Sequence, residues 1–170
     1  MFKLHSLLDR VVQVVENIGA VIAGVVLLAC MVLVTLDSVL RYAFSQPLTF
    51  QLHLTQYYLL VLLTMMGLSW GYRSGGSIQI SFLVNQFPET LRGVVTRIGL
   101  LASSVYVAVL AYKAWEVFER AWIRDSVVMG VIDWPVAWSW IWVPIGCALL
   151  SVRLLLDATA AELRVASGAH

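Results

Sequence analysis

The sequence predicts an all-α membrane protein with about four transmembrane helices and a short interfacial amphipathic helix in one loop. Two observations carry this. Of 170 residues, 61% are hydrophobic and only 12% charged, with a mean hydropathy of +0.87. A soluble domain has about a quarter of its residues charged, so most of this surface does not face water. The second observation is that the apolar residues fall into four runs near the length a bilayer demands. A hydrocarbon core of about 30 Å needs about 20 helical residues. Formal net charge is +1, which gives no field to draw nucleic acid or acidic substrates. The length leaves no room for a soluble domain beside four helices, so residues 1–170 read as one membrane domain.

Asn17 to Leu36 is the first run, and the span is placed near 17–39. The second lies within Tyr42 to Tyr72, a stretch without Asp, Glu, Lys or Arg, and its span is placed near 52–72. Ile98 to Tyr112 is the third. It is short, but Arg97 and Lys113 can snorkel and extend it to about 96–114. The fourth, near 134–153, runs between Asp133 and Arg153. Hydrocarbon offers no partner to a backbone N–H or C=O, so each run must be helical. Pro144 removes one helical hydrogen bond in the fourth and should kink it, with Gly146 giving room for a neighbour.

Two further stretches have helical periodicity. Ile80, Leu83, Val84 and Phe87 fit the i, i+3, i+4, i+7 template, and a helix near 78–87 should lie in the interface until Pro88 ends it. Ile78 to Phe82 alternates as a strand would, and the membrane context favours the helix. Leu4, Leu7, Leu8, Val11, Val12 and Val15 fit either a surface-lying helix or an extension of the first span.

Charge orients the chain. Four spans put the N-terminal tail, middle loop and C-terminal tail on one side. They carry Lys3, Arg10, Arg73, Arg92, Arg97, Arg153 and Arg164, seven of eleven basic residues. Both termini are therefore expected in the cytoplasm. Six of seven tryptophans, among them Trp134, Trp138, Trp140 and Trp142, cluster around the connection between the third and fourth spans. They read as headgroup-level anchors at the outer side, with Trp70 and Tyr72 at the inner.

Few groups could carry chemistry. Cys30 and Cys147 lie inside apolar runs, so neither a disulfide nor a metal site is expected. Leu27-Leu28-Ala29-Cys30 faintly resembles a lipoprotein cleavage box, but the apolar run continues through Val34, and the first span is expected to stay uncleaved. Asp37 and Arg41 stand four residues apart with the acid first, the favourable order on a helix. They could form a proton or cation relay or a polar clamp, and their place at the end of the span favours the clamp. His53 has no second histidine to share a haem and no companions for zinc, so no cofactor is expected. Gly67 and Gly71 form a GxxxG pair, and Ala20 and Gly24 a similar small face, where another helix could approach closely. No phosphate-binding loop, nucleotide fingerprint or catalytic triad is present, and an enzyme is not expected.

The order of these features resembles the small membrane subunit, the DctQ-like component, of tripartite ATP-independent periplasmic (TRAP) transporters. Asp37-Ser38-Val39-Leu40-Arg41-Tyr42-Ala43-Phe44 is similar to the family's D-x-x-x-R-Y-x-F stretch, and Ser45-Gln46-Pro47-Leu48 to its proline turn. Gly67 through Arg73 with Gly75-Gly76-Ser77-Ile78 resembles its glycine-rich exit from the second helix. Gly130 to Pro135 and Pro144-Ile145-Gly146 resemble the beginning of its fourth. The chain departs from the family where Phe50, Gln51, Leu52 and His53 replace an aromatic followed by glutamates, and where Ser77 replaces a histidine.

The resemblance implies a scaffold subunit in the bacterial inner membrane. Its implied partners are a large multi-span subunit and, through the complex, a periplasmic binding protein that delivers an organic acid for cation-coupled import. Arg41, Arg73, Arg92 and Arg97 would then meet partner acids or phospholipid headgroups. The alternative is a self-sufficient homodimeric exporter with Asp37 as its proton carrier.

Overall fold

In the computed structural model, residues 2–45, 48, 50–76, 89–128 and 134–159 are described. The interfacial helix expected near 78–87 lies outside them.

The first helix, α1, runs from Phe2 to Phe44, 43 residues without a break. At 1.5 Å per residue it is about 65 Å long, twice the hydrocarbon core, so it continues well beyond the bilayer. The apolar repeat from Leu4 to Val15 thus lengthens the first span. Ser45 ends α1 with a φ of 54°, the left-handed turn that commonly follows a helix.

The second span is one rod made of four segments. α2 (Gln51–Leu54) leads into a π-helical turn at Thr55–Leu59, then α3 (Leu60–Gly71) and a second π turn at Tyr72–Gly76. α4 covers Glu89–Ile123, 35 residues. Its apolar run is only the middle of that helix. Charged residues end the membrane-compatible stretch without ending the helix, and local pairs support the extension. Lys113 Nζ donates to Glu116 Oε1 and Oε2 at 3.2 and 3.0 Å. α4 stops in a six-residue closure around Asp125, whose φ is 44°. The Ser126 N–H donates to the Ala121 carbonyl at 3.1 Å and the Asp125 N–H to that of Trp122 at 3.4 Å, a Schellman motif.

A two-residue antiparallel ladder then joins β1 (Val127–Val128) to β2 (Trp134–Pro135). The fourth span is α5 (Ala137–Trp140) followed by α6 (Trp142–Thr159). The interruption at Ile141 sits just before Pro144, which has no N–H to offer the Trp140 carbonyl. Four stretches are long and apolar enough to cross a membrane: Leu7–Phe44, Gln51–Ser74, Gly93–Ile123 and Ala137–Thr159.

The spans pack in the order first, second, fourth, third, and the fourth is the most enclosed. Glycines set the approach of the second span to both neighbours. A Cβ on Gly19 of α1 would stand 3.1 Å from the Met66 carbonyl oxygen, and one on Gly146 of α6 only 2.6 Å from that of Met65. The third and fourth spans are tied by two serines that each serve the other's backbone. Ser104 Oγ donates to the Ser151 carbonyl at 3.0 Å, and Ser151 Oγ to the Ser104 carbonyl at 3.1 Å. Leu100, Leu154 and Ala158 form a small core beside them, covered by Tyr72, Val107 and Leu150. Outward, Val21, Val25, Leu28 and Val32 of α1 are all more than half exposed. Such a surface belongs against lipid or another apolar protein, not water.

Candidate functional site

The most polar place in the bundle is also one of its most buried. Glu16 and Arg153 are fully enclosed, the two largest such side chains among the described residues. α1 supplies Asp9 and Glu16, seven residues apart and so on one helix face with the buried Val12 between them. α6 supplies Arg153 and Asp157, one turn apart. The end of the second span supplies Ser69, Tyr72 and Arg73.

Arg153 is the hub. Its Nη1 donates to Asp9 Oδ1 at 2.9 Å. Its Nε lies 3.5 Å from Asp157 Oδ2 and 3.8 Å from Glu16 Oε1, ion pairs rather than well-formed hydrogen bonds. Glu16 is held from the other side as well. Ser69 Oγ donates to its Oε1 at 2.7 Å, and Arg73 Nη1 stands 3.1 Å from its Oε2. Arg73 Nη2 donates in turn to Asn17 Oδ1 at 2.5 Å. Three carboxyl groups and two guanidiniums therefore join the first, second and fourth spans at one end of the bundle. Charges removed from water lose several kcal/mol of hydration each, and only close pairing offsets that loss. An arrangement this interlocked opposes sliding or rotation of the first, second and fourth spans against one another. Its chemistry is that of a lock.

Asp37 and Arg41 sit at the opposite end of α1. Arg41 Nη2 meets Asp37 Oδ2 at 2.9 Å, and the Leu48 N–H donates to Asp37 Oδ1 at 2.8 Å. Asp37 is thus fastened to its own helix and to the turn leading into the second span. The Arg41 side chain is 68% exposed. Asp37 itself is buried, but Asp37→Asn should cost at most about 1 kcal/mol, because the Arg41 guanidinium left behind is solvated and the amide oxygen can still accept from Leu48. Thermal unfolding of the purified variant measures this; a loss of several kcal/mol would show that the carboxylate does more.

The other candidate residues are dispersed. Gly67 faces α1, with Ala23 Cβ at 3.9 Å from where its own Cβ would be, while Gly71 looks into open space. Ala20, Gly24, Gly67 and Gly71, expected as two separate small faces, line one groove between the first and second spans. Arg73 points into the ionic cluster, and Arg97 is exposed on α4. The side chains of Arg92 and Trp134 lie outside the described residues. Trp70, Trp138 and Trp140 are exposed, and Trp142 is half-buried. His53 stacks on Tyr57 with ring centroids 6.0 Å apart. Ser139 donates to the Tyr57 carbonyl, and Tyr58 Oη to that of Pro135 at 2.5 Å, closing the other end of the bundle. Among the described residues, no three His, Cys, Asp or Glu side chains are placed to hold a metal.

Sequence reasoning missed the hub. Glu16 stands one residue before the first apolar run, and Arg153 closes the fourth. A faint signal was present: Asp9, Val12 and Glu16 share a face within an apolar helix, and Arg153 and Asp157 have ion-pair spacing.

Residues 30–163 match the family described as tripartite ATP-independent periplasmic transporters, DctQ component. The chain belongs to that family. A comparison with curated proteins found no match. The DctQ match begins beyond Asp9 and Glu16, so the ionic cluster joins the matched region to the part of α1 that precedes it. Membership of a transporter-component family, with four membrane-length helices, makes this a multi-pass membrane protein of a TRAP transporter.

Proposed function

We propose that this DctQ protein is the fixed small subunit of a TRAP-type secondary transporter of the bacterial inner membrane, with both termini cytoplasmic. It pairs there with a large multi-span subunit that carries the moving parts, and the complex imports an organic acid delivered by a periplasmic binding protein, driven by a cation gradient. The observation that best supports this role is the buried lock of Glu16, Arg73, Arg153 and Asp157. A chain that had to change its helix packing in each cycle would have to break those pairs each time, whereas a scaffold only has to keep them. The exposed aliphatic flank of α1 supplies apolar surface for a partner or for lipid. The family is one of transporter components, and we read the protein as no enzyme. Asp37, Arg41 and Arg97 are the charged groups we assign to contacts at the two membrane surfaces.

Co-expression with a candidate large multi-span subunit, followed by affinity purification in mild detergent, tests the pairing. The two chains should elute together in constant ratio. Elution of this chain alone, with the large subunit in the flow-through, would sink the proposal.

A further inference from the structure

We propose that the groove between the first and second spans seats an acyl chain of an anionic phospholipid whose phosphate meets Arg10. The groove has a volume of about 590 Å³, and Asn17, Ala20, Gly24 and Leu27 of α1 line it opposite Gly67 and Gly71 of α3. From Asn17 to Leu27 it covers about 15 Å of helix, half the hydrocarbon core and so the depth of one leaflet. A partner's transmembrane helix would need a track through the full thickness. One chain from one leaflet fits the length.

The walls are apolar, and the charge stands at one end. Asn17 is the one polar side chain other than the Trp70 indole among the lining residues, and its Oδ1 accepts from Arg73 Nη2 at 2.5 Å. Arg10 lies seven residues before Asn17, on the same face and about 10 Å further toward that end. Arg10 is exposed, with no ion pair among the described residues, whereas the Arg73 charge is balanced by Glu16. Arg10 is thus the uncompensated cation at the groove's polar mouth. Basic pockets between transmembrane helices recognise anionic headgroups in this way, and guanidinium suits phosphate oxygens. The Trp70 indole, 42% exposed on the groove wall, adds an interfacial donor.

Two of the lining glycines have no use inside the bundle. A Cβ at Gly24 or Gly71 would meet nothing within 4 Å, while those at Gly19 and Gly146 would strike the second span's backbone. Glycine is a poorer helix former than alanine, so bare backbone at these two positions keeps the groove deep at a cost to the helix.

The proposal concerns this chain by itself and is independent of its pairing with a large subunit. The full-length chain, reconstituted in nanodiscs with equal amounts of palmitoyl-oleoyl phosphatidylglycerol and phosphatidylcholine, is examined by native mass spectrometry. One phosphatidylglycerol should remain bound per chain. Gly24→Leu and Gly71→Leu fill open space, so they should fold normally and lose the lipid. Arg10→Gln should keep a lipid but lower the preference for phosphatidylglycerol about fivefold, the effect of one basic residue beside an anionic group. Gly99→Leu, also open but on α4 outside the groove, should retain it. Equal retention of phosphatidylcholine by the unaltered chain, or undiminished phosphatidylglycerol in both groove variants, would overturn the proposal. So would a Gly71→Leu chain that keeps its lipid but no longer co-purifies with a large subunit, which would give the groove to a partner helix.

Discussion

Arg153→Met should destabilise the purified chain by about 3–5 kcal/mol, the usual cost of removing one partner from a buried ion pair. Methionine has nearly the volume and length of the arginine stem, so the loss reflects charge rather than a cavity. Glu16 would keep Arg73, while Asp157 would lose the guanidinium beside it and Asp9 its 2.9 Å contact. The melting temperature in detergent, followed by fluorescence-detected size exclusion, reads the effect. A second variant separates charge from fold. Arg153→Met combined with Asp9→Asn and Asp157→Asn should recover much of the loss, because Glu16 keeps Arg73 and the other two carboxylates are gone. If the single variant melts with the unaltered protein, Arg153 is not the hub described.

Gly146→Ala should have the next largest effect, about 1–3 kcal/mol, as overpacking in a close-packed interior does. The added methyl would fall 2.6 Å from the Met65 carbonyl oxygen, 2.8 Å from Met65 Cβ and 3.0 Å from Met65 C. Two of the three atoms are backbone, so no rotamer change relieves the clash and the second and fourth spans must part. Gly19→Ala meets the Met66 oxygen at 3.1 Å and should cost less. Gly24→Ala meets nothing and should raise stability slightly through helix propensity. Melting temperatures in the order Gly24→Ala, Gly19→Ala, Gly146→Ala, from highest to lowest, are expected; equality of the three would show that the spans do not approach as described.

The spans were legible because hydropathy measures the property that the bilayer selects. Their extents were less so, for reasons visible in particular residues. Helix α4 continues through Lys113, Glu116 and Arg120, since charge marks where the membrane surface lies and not where hydrogen bonding stops. Pro144 and Gly146 announced a break and a close contact, and the fourth span has both. Asp37 and Arg41 were legible as a pair because four residues on one helix fix their geometry.

The cluster around Arg153 was not legible in that way. Asp9 precedes Arg153 by 144 positions, and their meeting depends on the register of the first span against the fourth. Hydropathy alone also misplaces such residues. It assigns ionised side chains to water, yet Glu16 and Arg153 are enclosed because each has an opposite charge close by, Arg73 for Glu16 and Asp9 for Arg153. The same blindness applied to the groove, whose two walls were read as separate small faces.

Substrate uptake into proteoliposomes tests the central claim most directly, with this chain alone, the large subunit alone, and the two together in the presence of the binding protein and a cation gradient. The scaffold account predicts no uptake by this chain alone, uptake by the pair, and unchanged uptake by a pair carrying Asp37→Asn. Uptake or export by this chain alone that disappears with Asp37→Asn, or full uptake by the large subunit without this chain, would contradict it.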